Sequence, residues 1–311
     1  MTHRCVTILG GTGFVGTQLT CLLASEFDEI RLLTRHAQRV RTVRVLPNVH
    51  LHTVNVHDAK ELQTAIEGSD TVINLVGILN QGGSQNSFHK AHVGITQNVL
   101  DACKLTGVSR YLHMSSLGAD LNGTSEYLRT KGEAEKLVKS AANLDWTIFR
   151  PSVIFGEDDS FFNRFVGLVR ALPVFPLACP DAKMAPVYVN DVCKAFAAAL
   201  DSPATVGQSY NLCGPKEYTL RELVEFTAST AGLNRKVLGL PDWAAKLQAR
   251  VMEWVPGKPF SRDNYLSLQT DSICSSEDCK QPTSIEAIVP RYIGTSDING
   301  RLQARRRWAR R

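Results

Sequence analysis

The sequence predicts an α/β protein, namely a doubly wound parallel sheet of the Rossmann type with a smaller C-terminal α/β substrate lobe. Three observations indicate this fold. In the first half of the chain, apolar β-branched runs alternate with helical runs, as in successive βαβ units. The glycine-rich stretch "GGTGFVG" stands between the first strand and the first helix. In the second half the strands are shorter and less regular, which indicates a lobe that closes the carboxyl edge of the sheet.

The elements of the first half have clear local signals. The run "CVTIL" is continuously apolar, as a buried parallel strand should be. Further strands are predicted at 29–34, 49–56, 71–79, 110–116 and 146–152. Helices are predicted at 59–68, 88–107 and 125–141. Gly68 and Gly107 are stop signals for the first two helices, and Ser125 is an N-cap for the third.

The elements of the second half are bounded in the same way. Helices are predicted at 161–176, 186–202 and 218–232, and a short strand at 208–214. Pro173 ends the first of these helices. The second follows a short strand and starts at Asp191. Thr219 and Glu222 have the spacing of a capping box for the third.

Length and charge exclude several classes of protein. The 311 residues suffice for one large or two smaller domains, and no apolar run is long enough for a transmembrane helix. The first residues lack the pattern of a signal peptide, so a cytoplasmic location is expected. The net charge is +5, but the last eleven residues contain six arginines. The rest of the chain therefore has no basic excess, and nucleic acid is not an expected partner.

The eight cysteines are scattered along the chain. Most stand in apolar runs and are expected to be small buried side chains. Only Cys274 and Cys279 are close in sequence, and no second pair of Cys or His completes a zinc site. We therefore expect no metal.

The glycine-rich stretch has the spacing of a phosphate-binding turn. It fits G-x-G-x-x-G from Gly11 and G-x-x-G-x-x-G from Gly10. A helix N-terminus directly after it favours an anion, while the glycines allow a tight turn and close packing of helix on strand. A βα turn without a ligand is the alternative interpretation. We predict that these residues bind a dinucleotide pyrophosphate: Gly10, Gly11, Thr12, Gly13, Phe14, Val15 and Gly16.

Arg35 predicts which dinucleotide is preferred. Sites selective for NAD usually carry Asp or Glu about twenty residues past the glycines, to bind the ribose hydroxyls. This chain has Arg35 at that point, after the second strand. A guanidinium suits a 2′-phosphate, so the sequence favours NADP(H), with NAD(H) as the alternative. An ordinary exposed arginine is the simpler interpretation.

Two further strand ends are candidate cofactor contacts. Asp58 follows the third strand and is expected to contact adenine, to cap the next helix, or to do both. Val76 and Gly77 end the fourth strand in "NLVG", where the backbone would pass the cofactor ribose.

The stretch "YLRTK" contains a candidate acid/base pair. Tyr127 and Lys131 are four residues apart on a predicted helix and therefore share one side of it. A nearby ammonium lowers the pKa of a phenol, which suits Tyr127 to proton transfer near neutral pH. Ser116, at the end of the fifth strand in "MSS", is placed to hold a substrate oxygen. A chance pair on an exposed helix is the alternative.

Several ordered motifs carry a family resemblance. In "GGTGFVG", "SS", "YLRTK", "RPSVIFG" and "PVYVNDV" the chain resembles extended or atypical short-chain dehydrogenases/reductases of the NAD-dependent epimerase/dehydratase superfamily. More narrowly, "YLHMSSLGAD", "RPSVIFGEDDSFFNRF" and "YNLCGPKEYTLREL" make it similar to the alpha subcomplex subunit 9 proteins of respiratory complex I and their bacterial relatives.

The resemblance implies roles for individual residues. Tyr127 would be the acid/base, Lys131 would hold the nicotinamide ribose, and Ser116 would bind substrate. Ser115 would contact the cofactor as well. The nicotinamide would be lined by Pro151, Ser152 and Val153.

The resemblance also implies a function. It implies an NADP(H)-preferring oxidoreductase related to respiratory complex I or quinone metabolism, with a lipophilic, quinone-like substrate. A non-catalytic NADPH-binding accessory or assembly protein of a membrane respiratory or quinone-biosynthesis complex is one alternative. A nucleotide-sugar epimerase or dehydratase is another. Arg35, the short loop between Ser116 and Tyr127, and "LGAD" in place of an aromatic–Gly pair count against the latter.

A late helical stretch bears on partners. In "PDWAAKLQARVMEWV" the apolar residues Trp243, Leu247, Val251 and Trp254 fall near one helix face, with Lys246 and Arg250 off that stripe. One interpretation is a helix packed on the core. The other is a helix on a membrane surface, assisted by the arginine-rich tail, which would make the cytoplasmic protein peripheral to the inner face of a membrane.

These observations predict the domain organisation. Residues 1–156 are expected to form the NAD(P)-binding Rossmann domain, to which residues 186–202 return. Residues 157–300 are expected to form the smaller substrate or partner lobe, and residues 301–311 a basic tail.

Overall fold

The computed structural model describes residues 3–40, 42–81, 87–255 and 260–293. The chain divides into two compact units. The first unit consists of residues 1–151 and 189–212, and the second of residues 152–188 and 213–311.

The strands of both units are β1 (Cys5–Leu9), β2 (Glu29–Thr34), β3 (Val49–Thr53), β4 (Thr71–Asn74), β5 (Arg110–Met114), β6 (Asp145–Pro151), β7 (Ile154–Phe155), β8 (Val174–Leu177), β9 (Lys183–Met184), β10 (Val187–Tyr188), β11 (Gln208–Leu212), β12 (Tyr218–Thr219) and β13 (Lys236–Gly239). The α-helices are α1 (Phe14–Leu23), α2 (Ala59–Ile66), α3 (Ile95–Thr106), α4 (Glu126–Lys139), α5 (Phe162–Ala171), α6 (Val189–Leu200), α7 (Leu220–Thr230), α8 (Asp242–Met252) and α9 (Arg262–Ser267).

In the described residues of the first unit, seven parallel strands form one sheet in the order β11-β6-β5-β4-β1-β2-β3. Strand β1 is buried along its whole length, as its continuous apolar sequence predicts. The sheet order reverses between β1 and β4, where α/β sheets of this type bind ligands. The predicted Rossmann-type parallel sheet is confirmed.

Local signals define several helix ends. Ser125 accepts a hydrogen bond from the backbone N–H of Leu128 and caps α4, and Gly107 ends α3 with a left-handed backbone. The predicted capping box of Thr219 and Glu222 is present at α7. These three sequence predictions are confirmed.

Several elements differ from their sequence predictions. Strand β4 ends at Asn74, because the backbone N–H of Val76 is bonded to the Asn74 side chain instead of to a neighbouring strand. The predicted helix at 88–107 begins with a wide, π-helical segment, His89–Gly94, before α3. The strand at 208–214 is predicted in the smaller lobe, whereas β11 pairs with β6 at the edge of the large sheet.

A buried arginine joins β5 to the later segment of the first unit. The Arg110 guanidinium donates hydrogen bonds to the carbonyl of Ala199 at 2.6 Å and to the hydroxyls of Thr147 and Thr205 at 2.8 and 2.9 Å. Since buried cationic donors need acceptors, these bonds allow Arg110 to be buried beside the sheet.

The second unit combines short strand pairs with helices. Strands β7 and β10, β8 and β13, and β9 and β12 pair two by two. Its core is apolar, with Phe155, Phe162 and Leu223 fully buried. Among the described residues of the whole chain, no helix is both long and apolar enough to cross a membrane.

Two of the eight cysteines form a disulfide, so these two are more than small buried side chains. Cys213 and Cys274 are bonded to each other, with their Cα atoms 6.1 Å apart. They are separated by 61 residues in sequence, so spacing gives no signal of the pair. Cys279, the sequence neighbour of Cys274, is free.

Candidate functional site

The glycine-rich turn is built so that helix and strand ends meet closely. Gly10 has a φ of +77°, which favours glycine, and its carbonyl accepts a hydrogen bond from the N–H of Gly13 at 3.0 Å. A Cβ atom on Gly16 would lie 2.2 Å from the carbonyl oxygen of Gly10. A Cβ atom on Gly11 would lie 2.6 Å from a side-chain carbon of Leu32. The backbone of the turn therefore requires glycine at Gly10 and Gly16, while a side chain at Gly11 would displace the Leu32 side chain.

The turn leaves the start of α1 available to a ligand. Gly13 is the N-cap of α1 and has no side chain to satisfy the first backbone N–H groups. Val15 is buried, and Thr12 and Phe14 are half-buried around it. Gly10 packs against the backbone of Leu75 after β4, so the turn lies at the reversal of the sheet order. Such a helix end attracts an anion.

Arg35 stands at the same edge of the sheet. Leu9 lies opposite Leu33 in the parallel pair β1–β2, so Gly10 and Arg35 both follow at the carboxyl ends of these strands. The Arg35 side chain is exposed. Within the described residues it has no hydrogen-bond or ion-pair partner, which leaves its guanidinium available to an anion.

Asp58 has the structural role that the sequence also allows. Its carboxylate accepts hydrogen bonds from the backbone N–H groups of Lys60 and Glu61 at 2.9 and 3.1 Å, and it caps α2. The predicted adenine contact stays a prediction.

Lys131 is the buried cation of the site. Its ammonium donates to the carbonyl of Met114 at 3.0 Å, the single acceptor that the described residues supply. A Cβ atom on Gly77 would lie 3.3 Å from the Lys131 ammonium, so the segment after β4 passes directly over it. Burial lowers the pKa of Lys131 to about 8, although Glu135 opposes the shift. An ammonium with unused donors in a buried position fits ligand hydroxyls.

Unpartnered polar atoms gather at the carboxyl end of β5. The Ser116 hydroxyl is buried without a hydrogen-bond partner among the described residues, and so is Nε2 of His113. Asn74 donates to the Tyr111 hydroxyl, whose oxygen lies 3.2 Å from Nδ1 of His113. Such buried orphaned groups indicate a position for a polar ligand.

Ser115 lies beside a buried carboxylate. Burial is the largest single influence on Glu135 and would raise its pKa, but the hydrogen bonds and charge of Arg150, with smaller contributions from the nearby Ser115 hydroxyl and from Lys139, together lower the pKa. The Ser115 geometry falls short of a hydrogen bond. Lys139 also donates to Glu135, at 3.1 Å. This cluster attaches α4 to β6. No sequence motif predicts it, because α4 and β6 are separate elements.

His92 is a further residue of the site, and no sequence motif predicts it. Its Nε2 accepts a hydrogen bond from the backbone N–H of Ile78 at 3.3 Å, and its Nδ1 lies 2.9 Å from the Thr130 hydroxyl. The His92 ring packs edge-on against the Tyr127 ring, with centroids 5.4 Å apart. Burial, reinforced by the Lys131 charge, lowers the pKa of His92 to about 2. The imidazole is therefore neutral, with its proton on Nδ1.

The predicted residues separate into two groups. The first group lies at the carboxyl edge of the large sheet and comprises the glycine-rich turn, Arg35, Gly77 and the serines after β5. Tyr127 and Lys131, on α4, belong to the same group. Pro151 ends β6 in the same unit. Ser152 and Val153 belong to the second unit, where the Ser152 hydroxyl is bonded to the carbonyl of Ser272 at 2.8 Å.

These features together fit a dinucleotide with a ribose near Lys131. The uncapped helix and glycine cradle suit a pyrophosphate. The spare donors of Lys131 and the orphaned Ser116 hydroxyl suit hydroxyl and carbonyl oxygens. No cluster of metal-ligating side chains occurs within the described ranges.

Comparisons with known proteins agree with this fit. A family described as NAD(P)H-binding matches residues 10–167. The chain is 32% identical over 227 residues to the mitochondrial NADH dehydrogenase [ubiquinone] 1 alpha subcomplex subunit 9 of Mus musculus, covering 71% of this chain and 59% of that protein. It is 25% identical over 237 residues to a ceramide reductase of Caulobacter vibrioides, covering 76% and 74%.

A solved structure shares the fold. The dTDP-glucose 4,6-dehydratase DesIV of Streptomyces venezuelae, with NAD and TYD bound, has a TM-score of 0.74 and 20% identity, covering 96% of this chain and 98% of that one. At this level of identity the likeness concerns the fold alone. Because the chain spans 59% of the length of the mouse relative, the activity and assembly of that whole protein are not transferred with the match.

Proposed function

The chain belongs to the NAD(P)H-binding family and is homologous to complex I alpha subcomplex subunit 9 proteins, and from this premise we propose that it is an NADP(H)-preferring oxidoreductase of the short-chain dehydrogenase/reductase type. The observation that carries the proposal is the buried Lys131 ammonium, which lies against Gly77 and donates to the carbonyl of Met114, two residues before the orphaned Ser116 hydroxyl. On α4, Lys131 is one helical turn from Tyr127. The substrate class we propose is a lipophilic, quinone-like carbonyl compound, in line with the complex I relatives and the ceramide reductase.

The bound nicotinamide would supply the hydride to the substrate carbonyl carbon. Ser116 would donate a hydrogen bond to the carbonyl oxygen and hold it in place. Tyr127 would transfer its phenolic proton to that oxygen, which gives the alcohol, and would be reprotonated from solvent. Lys131 would bind the ribose hydroxyls and stabilise the Tyr127 phenolate by its charge.

Arg35 supports the preference for NADP(H). It is exposed at the edge that carries the glycine turn, and the described residues offer its guanidinium no partner. A 2′-phosphate would provide a charge-assisted partner there. NAD(H) would not make this interaction. Arg35 therefore also counts against a nucleotide-sugar epimerase, the third candidate function.

A second candidate function is supported by the mouse relative. That relative is named as a subunit of a membrane respiratory complex, so the chain is alternatively an NADPH-binding accessory or assembly protein of such a complex or of a quinone-biosynthesis complex. In that case the same site would bind NADPH tightly and stabilise the protein without turnover.

Cofactor titration tests the proposal. We expect the purified protein to bind NADPH more tightly than NADH. Arg35→Ala should weaken NADPH binding by about ten- to a hundredfold, the range for hydrogen bonds to a charged group, and leave NADH binding unchanged. Arg250→Ala, which removes an exposed arginine of the second unit, is the matched control. Equal affinity of the wild type for both nucleotides would refute the preference.

Turnover distinguishes the two candidate functions. Tyr127→Phe should abolish reduction of quinone and ketone substrates and retain NADPH affinity, because the phenol moves a proton and the ring remains. Full activity in this variant would overturn the mechanism. Tight NADPH binding by the wild type without turnover of any carbonyl substrate would favour the accessory role.

A further inference from the structure

We propose that the outward surface of α8 docks the protein on an anionic lipid membrane. The α8 face consists of Trp243, Leu247 and Val251, together with Trp254 in the turn that follows the helix. These side chains are 70, 54, 58 and 87% exposed. The inference is independent of the cofactor site, because these residues lie outside the first unit.

The opposite side of α8 is the side that packs on the protein. Ala245 and Ala249 are buried, in a small cluster with Ala178 and Tyr265. At 100° per residue these alanines lie about half a turn from Leu247 and Trp254. Helix α8 is therefore held through its small residues and turns its large apolar residues outward. The interpretation of this stripe as a core-packed face is wrong.

The composition of the α8 face fits a lipid–water interface. A tryptophan stands at each end and aliphatic side chains stand between them. Tryptophan combines an apolar body with an N–H donor and is enriched where lipid headgroups meet acyl chains. With 11 residues, α8 is about 16 Å long, which suits a helix that lies in the interface plane.

The charges along the edge of the α8 face select an anionic surface. Arg250 is exposed and finds no ion-pair partner in the described chain, and Lys246 stands one turn before it, paired with Asp242 at 2.7 Å. Cationic side chains beside an apolar helix face strengthen binding to anionic lipids.

Vesicle binding by the full chain tests the proposal. We expect the protein to co-sediment with phosphatidylcholine vesicles that contain phosphatidylglycerol, and much less with phosphatidylcholine alone. Leu247→Glu should weaken this binding by at least about tenfold, because a large side chain can no longer enter the apolar layer. Leu105→Glu is the matched control, since Leu105 is 69% exposed on α3 in the first unit. It should bind vesicles as the wild type does.

Further readouts keep the outcomes distinct. Circular dichroism and NADPH affinity of Leu247→Glu should match the wild type, so failure at the membrane is separate from failure of the cofactor site. Unchanged vesicle binding by Leu247→Glu, equal loss in Leu105→Glu, or no binding to anionic vesicles by the wild type would each overturn the proposal. Sedimentation velocity without vesicles tests whether a second copy of the chain binds the α8 face instead. A dimer that Leu247→Glu dissociates would identify the face as a contact between two copies and overturn the membrane assignment.

Discussion

At the scale of single residues, Lys131 combines a ligand-binding position with an unfavourable location for a charge. Burial holds its pKa at about 8 instead of 10.5. The folded protein therefore releases this proton more readily than the unfolded chain, and the contribution of Lys131 to stability rises as the pH increases from about 8 to about 10.5. Below that window the buried charge costs about 3 kcal/mol.

We predict that Lys131→Met changes the pH dependence of stability. Near neutral pH the cofactor-free variant should be the more stable protein by up to about 3 kcal/mol, and this difference should shrink as the pH rises through the window. Urea unfolding at a series of pH values measures it. Lys136→Met, on the exposed side of α4, should show no such change. A difference that is constant with pH would contradict the assigned cost of burial.

His92 positions the site without a change of charge. It holds the backbone at Ile78 and packs on the ring of Tyr127, while its pKa of about 2 keeps it neutral. We predict that His92→Ala lowers kcat/KM about ten- to a hundredfold through misplacement of these groups. The loss should be the same between about pH 6 and pH 8. His89→Ala, a neighbouring exposed histidine, serves as the control.

A pH-dependent loss would identify His92 instead as a proton-transfer group. NADPH affinity of His92→Ala, measured by titration, extends the test to a protein without turnover. It should fall as well, because the segment with Gly77 and Ile78 passes over Lys131.

At the scale of elements, the sequence predicts best what neighbouring residues determine. The cap at Ser125 and the left-handed stop at Gly107 are local, and both are present. The candidate site was recognisable for the same reason: its glycine turn and the pair Tyr127 and Lys131 are short motifs. Each can be recognised within a few residues of chain.

Features that depend on distant partners were not predictable. His92 joins the site only because the fold brings Ile78 and Thr130, 14 and 38 residues away, to its two nitrogens. The apolar stripe of α8 has the same periodicity whether it faces a core or solvent. Only the burial of Ala245 and Ala249 shows which side packs on the protein. The pairing of β11 with β6 likewise depends on segments far apart in sequence.

At the scale of the whole molecule, the disulfide should stabilise the second unit. Cys213 and Cys274 close a loop of 61 residues, for which the loss of chain entropy in the unfolded state corresponds to about 4 kcal/mol. We predict that Cys274→Ser lowers the free energy of unfolding by up to that amount, and that a thiol reductant has the same effect on the wild type. Denaturant unfolding measures both.

Cys279→Ser is the matched control, because Cys279 is a nearby free cysteine that is only partly buried. It should leave the unfolding midpoint within the range of an ordinary surface substitution. An equal loss in both variants, or insensitivity to reductant, would show that the bridge contributes little.

The place of β11 in the sheet also affects folding during synthesis and determines which fragments of the chain can fold. The ribosome completes residues 152–188 before it adds α6 and β11, so the first unit cannot finish folding as soon as β6 emerges. A fragment that stops at residue 156 would contain the glycine turn, Tyr127 and Lys131, yet leave the edge of β6 unpaired and Arg110 without its acceptor at Ala199. Open strand edges cause aggregation. We therefore expect a cofactor-binding fragment of this chain to fold without aggregation only if it extends through Leu212.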